Sequence, residues 1–453
     1  MGGVQAAVAP PRVPLALAAS CLSMLALGAN GTAIMAALPT MRHDLGLNAA
    51  QVEWAINAYL VVSAACIIPG GKACDQFGAR LVSVVGLALF AVASAIVATG
   101  EVPAAMLAGR ALQGLAAALA VPGTLAAVSE ASSLERRASA ISAWAGFVML
   151  GFSLGPLIGG TLTHYLDWRV IFWASGASML FAAAGFAGGR PAATAGSKAG
   201  KHFDAAGFAL LAIGMIGLVS TLHALPTMAS APEHFLGLAG VAVVAFVMLL
   251  RHERRVHDPL IDLGLLRQTT FVRAVVLGSI AMSCILALLL FYNLYVQSPV
   301  GLKLTPVEAG LSLLPMSGGL LVLAFSAPRL VRRFGARRTL TVGNLVIAVA
   351  GMLIAAAAVL KLWIPLTIGL FAIGVGLAVP YATASKLALA TLPGSQAGAA
   401  SGIINACTFL GGSIGVAAGA VAFALRGLPG AMAMIVALAL VGAVLCRGLA
   451  REL

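Results

Sequence analysis

Arg110-x-x-Gln113-Gly114 stands inside an apolar run, flanked by Leu107, Ala108 and Leu112. If that run crosses a bilayer, an arginine at its centre costs about 2.5–3.5 kcal/mol on insertion scales, so its side chain is expected against a polar cavity. A guanidinium does not deprotonate readily, so Arg110 offers fixed charge and hydrogen bonds and cannot itself be the group that titrates. Groups that could titrate are scarce. None of the 14 acidic residues falls in the middle of an apolar run. Glu53 and Glu308 come closest, about one turn from the end of a run, and are proton-site candidates if water reaches them. The 7 histidines fall in loops or at the ends of runs. No His/Asp/Glu cluster, Ser–His arrangement or phosphate-binding loop is present, so neither an enzyme nor a cofactor is expected. The 6 cysteines lack metal-ligand spacing and read as small core residues, with no metal site.

The elements that must hold these residues follow from composition. The 453 residues are 61% hydrophobic and only 9% charged, with a mean hydropathy of +1.04. Soluble domains carry roughly 25% charged residues. Most of the chain therefore has lipid as its solvent. A crossing helix takes roughly 20 apolar residues. Such runs lie near 13–39, 52–70, 80–99, 102–128, 138–162, 169–189, 204–225, 234–251, 271–297, 305–327, 339–359, 363–388, 396–425 and 429–447. Long continuous runs exclude a barrel, whose strands alternate. The apolar stretch around Cys21 continues past any leader cleavage point, so a retained first helix is expected.

A net charge of +13 raises the question of nucleic acid, but the basic residues sit in short clusters between runs. With the N-terminus inside, the inner loops hold Lys72, Arg80, Arg136, Arg137, Arg190, Lys198, Lys201, Arg254, Arg255, Arg332, Arg333, Arg337 and others. The outer loops hold only Arg42, Arg169, Lys303, Lys361 and Arg426. This asymmetry places both termini in the cytoplasm of a multi-pass protein of the cell (inner) membrane. The polar connections near 190–203 and 251–270 flank spans seven and eight, which read as an insertion. The expected organisation is an N-terminal six-helix half over 1–190, a linker with the inserted pair over 191–262, and a C-terminal six-helix half over 263–453.

Two motifs occur twice. Gly71-x-x-x-Asp75-x-x-Gly78-x-Arg80 follows span two, and Phe77-Gly78-Ala79-Arg80 returns letter for letter as Phe334-Gly335-Ala336-Arg337 after span ten. Its glycines permit a tight reversal, while Asp75 and Arg80 can make charged contacts or cap a helix end. On span five, Gly151-x-x-x-Gly155-Pro156-x-x-Gly159-Gly160 is echoed on span thirteen by Gly411, Gly415 and Gly419. Glycines four apart admit close helix packing, and the proline kinks the helix. Duplicated halves are the architecture of alternating-access carriers, with a substrate site between them. Side chains that could line such a cavity are Trp54, Tyr59, Trp144, Tyr292, Tyr295, Gln297 and Asn405.

These loops resemble the signature of the major facilitator superfamily. Arg110-x-x-Gln113-Gly114 resembles the span-four motif of its drug:proton antiporters, where the matching arginine is implicated in proton transfer. The span-five glycines resemble the superfamily's antiporter motif, which implies export. Ala36-Ala37-Leu38-Pro39, Trp54 with Ala58-Tyr59-Leu60, Asp167-Trp168-Arg169, Tyr295-Val296-Gln297 and Ala400-Ser401-Gly402 extend the resemblance to the fourteen-helix drug:proton antiporter family over nearly the whole chain. The resemblance implies an all-α fold of two six-helix halves plus two inserted helices, and proton-driven efflux of small molecules by a monomer in lipid. Two positions depart from it. Asn30 stands where the family carries an aspartate, and Arg332 stands in the second loop where the first has Asp75. A charged Arg110 without an acid partner favours an anionic or zwitterionic substrate. A uniporter or importer on the same fold is the alternative, and a membrane receptor a remoter one.

Overall fold

The computed structural model describes residues 13–187, 204–225, 228, 230–256, 259–261, 263–390 and 397–449. Arg190, Lys198 and Lys201, the expected boundary at 190/191 and residue 262 lie outside the described residues. Among the described residues every regular element is helical. The first group is α1 (Val13–Asp44), α2 (Ala49–Phe77), α3 (Ala79–Thr99), α4 (Pro103–Ala131), α5 (Leu134–Tyr165) and α6 (Arg169–Ala187). Next come α7 (Ala205–His223) and α8 (Pro232–Glu253). The last group is α9 (Thr269–Gln297), α10 (Pro306–Ser312), α11 (Leu314–Phe334), α12 (Ala336–Leu360), α13 (Trp363–Ala390) and α14 (Ala397–Cys446).

Helices and apolar runs correspond with two differences of bookkeeping. Span ten is interrupted at Leu313 and becomes α10 plus α11. Spans thirteen and fourteen are the two arms of α14, which reverses at Arg426 (φ −142°) and Gly427 (φ 61°). Counted by crossings, with α14 as two, the described residues hold fourteen spans.

The repeated loop is shorter than the sequence suggests. Gly71 and Asp75 still belong to α2, and the reversal is confined to Gly78 at φ 86°, ψ 142°. Its amide donates to the Cys74 carbonyl to close α2, and the same residue opens α3. Gly335 does the same between α11 and α12, at φ 80°, ψ 152°, with its amide on the Val331 carbonyl. Only glycine adopts that backbone without strain, which is why one residue suffices. The end of the bundle holding these turns is called the turn end below; the opposite end, with Asn48, Thr305 and Gly427, is the far end.

Packing follows the glycines. Gly151, Gly155 and Gly159 bring α5 onto the backbone of α1, where added methyls would overlap Leu25, Thr32 and Ala33. Gly411 and Gly415 bring the first arm of α14 onto Ser279 and Ser283 of α9 in the same way, and Gly419 meets Phe291. Hydroxyls tie both seams: Thr32 donates to the Phe152 carbonyl (3.1 Å) and Ser279 to that of Cys407 (2.9 Å). Small residues let backbones approach where lipid supplies no hydrophobic drive. Around these seams, α3 packs on α4 and α6, and α2 on α4. In the last group, α12 and α13 pack on each other, α11 on α13 and α12 on α14.

The two groups meet chiefly along two seams, and α1 also touches α9. One joins α2 to α14, with Gly402 against Ile68. The other joins α5 to α10 and α11, where Gly160 lies on the Pro306 backbone and Gly310 on that of Pro156. The second seam runs from the far end to mid-bundle, where the Ser317 hydroxyl of α11 donates to the Ser153 carbonyl of α5 (2.7 Å). Nearer the turn end, Gly146 and Gly318 face open space, and Ala145 and Phe147 are exposed.

The inserted pair packs chiefly on itself, with α7 also touching α2 and α14. Asp204 caps α7, accepting from the Gly207 amide (2.8 Å) and contacting His252 at the end of α8 (2.7 Å). Burial alone would raise its carboxyl, but those two hydrogen bonds, with the charges of His252 and Lys72, outweigh it. The group is held below the usual carboxylate range.

Candidate functional site

Arg110 is 1% exposed. Its position is set by two glycines on its own helix. Gly114 lets α4 close onto α2 at Tyr59 and Ser63, where the Ser63 hydroxyl donates to the Gly114 carbonyl at 3.1 Å. Gly109 lets the opposite face close onto Ala93 and Val97 of α3. One turn from Gly114, the guanidinium then reaches into α2 and α1. Nε donates to the Ala55 carbonyl (2.8 Å), and one terminal nitrogen donates to Asn30 Oδ1 (3.1 Å) and Gln113 Oε1 (2.7 Å). The Tyr59 ring lies 4.7 Å from the guanidinium carbon.

A second ring of polar groups fixes the acceptors. Gln113 donates to Ser94 on α3 (2.8 Å), and Asn30 donates to Ser175 on α6 (3.1 Å). Each amide therefore turns its oxygen towards Arg110, because its nitrogen is committed elsewhere. Among the described residues no carboxylate pairs with Arg110. Charge-assisted hydrogen bonds contribute about 1.5–3 kcal/mol each, so three of them offset the insertion cost of the arginine. Where the sequence predicts a polar cavity, the structure puts a closed polar cluster inside the α1–α6 group. The reason is that α1 and α2 fill the space in front of α4 at this level.

The other candidates separate. Glu308 is an exposed capping residue: its carboxylate accepts from the amide and hydroxyl of Thr305 (2.8 and 2.9 Å) and its amide donates back to Thr305. This capping box starts α10 and leaves Glu308 exposed. Glu53 is in a different position. Its side chain is 18% exposed and meets Nε2 of His223, itself 10% exposed, at 2.7 Å. Trp54 stacks on His223 with centroids 5.4 Å apart. Asp75 is exposed at the end of α2.

Of the aromatic and amide candidates, Tyr59 lies on the α2–α14 seam, its ring edge-on to Phe409. Tyr292 is fully buried with its hydroxyl on Ser312 (2.9 Å), and Tyr295 donates to the Ala358 carbonyl (2.8 Å), so both serve the last group's own packing. Trp144 donates to Thr124 (3.1 Å), tying α5 to α4. Asn405 bonds its own helix at Ser401 (2.9 Å). Gln297 crosses between the groups and donates to the Ala36 carbonyl (3.0 Å), sealing the far end. A cavity of about 350 Å³ lies away from all of these, among α11, α12 and α13. Its lining is mostly aliphatic, with Phe334, Arg338 and Thr339 among it, and Phe334 and Val342 are exposed.

Sequence reasoning missed His223, Asn57 and Ser413. His223 ends an apolar helix, where a polar residue is ordinary. Asn57 is fully buried and accepts from Ser413 of α14 at 2.8 Å. The available signal was Asn57 lying one turn after Glu53 in a buried run.

A sequence model of the Major Facilitator Superfamily matches residues 20–416 and 301–452. Over 410 residues the chain is 31% identical to the tetracenomycin C resistance and export protein of Streptomyces glaucescens, covering 88% of this chain and 74% of that one. It is 30% identical over 416 residues to a puromycin resistance protein of Streptomyces alboniger, covering 88% and 79%. A multidrug efflux pump of Mycolicibacterium smegmatis is 26% identical over 413 residues, covering 90% and 80%. Among solved structures, the crystal structure of a D-xylose-proton symporter aligns with a TM-score of 0.69 over 96% of this chain and 97% of that one. At 14% identity this is a likeness of fold.

Proposed function

The chain belongs to the Major Facilitator Superfamily, and we propose that it exports small organic molecules across the cell membrane by alternating access, in exchange for protons. One observation carries the reading. A charged centre, Arg110, is buried inside the first helix group, and Gln297 on the Ala36 carbonyl joins the two groups at the far end, while Gly146 of α5 and Gly318 of α11 meet no neighbour nearer the turn end. A carrier needs this geometry: two rigid bodies, a seam that can open at either end, and internal charge shielded from lipid. With the turn end in the cytoplasm, as the basic loops favour, the seam faces the compartment from which an exporter loads. Similarity to resistance and export proteins along most of the chain supports the outward direction.

On this reading the sequence divides into halves at 1–190 and 263–453, with α7 and α8 as the inserted pair, and the protein works as a monomer. Arg110 holds positive charge beside Asn30, so it stabilises whatever anion the cycle creates nearby. A second reading, an uncoupled uniporter, is favoured by Asn30 itself, since an amide cannot carry a proton where the family carries a carboxylate. Inverted membrane vesicles separate the two. An antiporter accumulates puromycin or tetracenomycin C when the lumen is acidified and stops when the pH gradient is collapsed. A uniporter equilibrates them under both conditions and accumulates neither.

A further inference from the structure

We propose that Glu53 and His223 together hold the coupling proton, and that Asn57 reports its loss to the other half of the carrier through Ser413. The proposal rests on the antiport reading and names the site that reading lacks.

The Val219 carbonyl can only accept a hydrogen bond, and it lies 2.8 Å from Nδ1 of His223, so Nδ1 carries a hydrogen. The other ring nitrogen, Nε2, faces a carboxylate oxygen of Glu53 at 2.7 Å. Two lone-pair atoms approach that closely only with a proton between them. The pair thus holds one exchangeable proton, and its net charge is zero as imidazolium–carboxylate or as imidazole–carboxylic acid. When that proton leaves to water, one N–H or O–H bond is broken, nothing else is, and the pair becomes anionic.

Asn57 is placed to respond. Its amide nitrogen lies 3.4 Å from the same Nε2, and its oxygen accepts from Ser413 at 2.8 Å. With the proton present, Nε2 is occupied by Glu53 and Asn57 serves Ser413. With the proton gone, the bare Nε2 lone pair becomes an acceptor for the Asn57 amide, and the move towards it draws the oxygen away from Ser413. Ser413 is on α14, so the bond that weakens is one joining the two halves. Proton occupancy then sets the strength of the α2–α14 seam, which is the link an antiporter requires between titration and rocking. The inserted helix α7 gains a role, because it supplies the base.

Other charges near the pair leave it in control. Tyr59 lies further along α2, and Arg110 of α4 is committed to Ala55, Asn30 and Gln113. From α1 come Arg42, His43 and Asp44, from the connection before α4 Glu101, from the start of α8 Glu233 and His234, and from the α14 reversal Arg426. Glu101, Glu233, His234 and Arg426 are exposed, and so are the three of α1. Lys72 and Asp75 lie about 28 and about 33 Å along α2 from Glu53, and Arg80 of α3, Glu130 of α4 and Arg251, His252 and Glu253 of α8 are likewise at the turn end.

The test uses purified full-length protein in liposomes with an acidified lumen, puromycin as the probe, and four proteins: wild type, Glu53→Gln, His223→Gln, and the swap Glu53→His/His223→Glu. At one proton per molecule, one pH unit sustains about tenfold accumulation. The wild type is expected to reach it. Each single variant is expected to lose the accumulation while puromycin still equilibrates down its own gradient, and the swap, which restores an acid–imidazole pair, is expected to regain pH-driven uptake. Accumulation by either single variant to the wild-type level overturns the proposal, as does a folded swap that equilibrates puromycin without accumulating it. A wild type that equilibrates puromycin but never accumulates it overturns the antiport reading instead, and the proton site with it.

Discussion

The first and last helix groups share a scaffold and differ in their interiors. Gly78 and Gly335 make the same left-handed turn, and the glycines of α5 and α14 make the same seam with α1 and α9. Inside the first group stands the Arg110 cluster. The corresponding stretch of α13, around Thr367, Gly369 and Leu370, holds no charge, and Leu370 is buried as ordinary core. Duplication therefore preserved what lets helices pack and turn. The buried arginine stands in the first group. A charge in a bilayer is expensive and survives where it is used, whereas glycine seams are needed wherever two backbones must touch.

The largest effects should break the shared scaffold. Gly155→Leu and Gly415→Leu would each drive a side chain into a neighbouring helix backbone, a strain beyond the roughly 1–3 kcal/mol of ordinary overpacking. Both are expected to abolish the monodisperse peak in fluorescence-detected size exclusion. A folded Gly415→Leu beside an unfolded Gly155→Leu would show that the seams are not equivalent.

Next comes the unshared chemistry. Arg110→Ala is expected to reduce drug accumulation in inverted vesicles to background, and Arg110→Lys to restore little of it, since one ammonium cannot span Ala55, Asn30 and Gln113 as the fork does. Leu370→Ala, at the matching level of α13, is expected to cost about 2–5 kcal/mol of core packing without changing which compounds are carried. If Leu370→Ala alters the substrate range as strongly as Arg110→Ala alters transport, the asymmetry is wrong.

Smaller again are the turns. Gly78→Ala and Gly335→Ala each force a side chain into a positive-φ, extended-ψ position that is nearly glycine-only, at about 1–3 kcal/mol. Thermal melts of the two should fall by similar amounts, and a markedly larger fall for one would mean its turn carries a further duty. The smallest effect is expected at Glu308→Gln. It should leave drug accumulation at the wild-type level, against the loss expected at Glu53→Gln, because its carboxylate only caps a short exposed helix.

The fourteen crossings were legible because each needs a long apolar run and lipid tolerates no other reading. The repeated turns were legible because only glycine serves there, so identity survived in Phe77–Arg80 and Phe334–Arg337. Arg110 was legible as a charge in the wrong solvent. Its surroundings were not. Asn30, Ser94 and Ser175 come from three other helices, and apolar runs say nothing about which faces meet. Glu53 and Glu308 read alike in sequence, each about one turn from the end of a run. The difference arises from neighbours: Thr305, three residues away, takes Glu308 into a cap, while His223, on a distant helix, meets Glu53. Local partners can be read along a chain, and tertiary ones cannot.

The central claim, that the two halves rock so that one end opens as the other closes, is tested most directly by spin-label distances. One pair would sit at Arg42 and Val300 at the far end, the other at Phe77 and Phe334 at the turn end, all exposed positions. On changing from alkaline to acidic medium with puromycin present, one distance should lengthen while the other shortens. Two distances that lengthen together, or that both stay fixed while puromycin is being transported, would contradict the account.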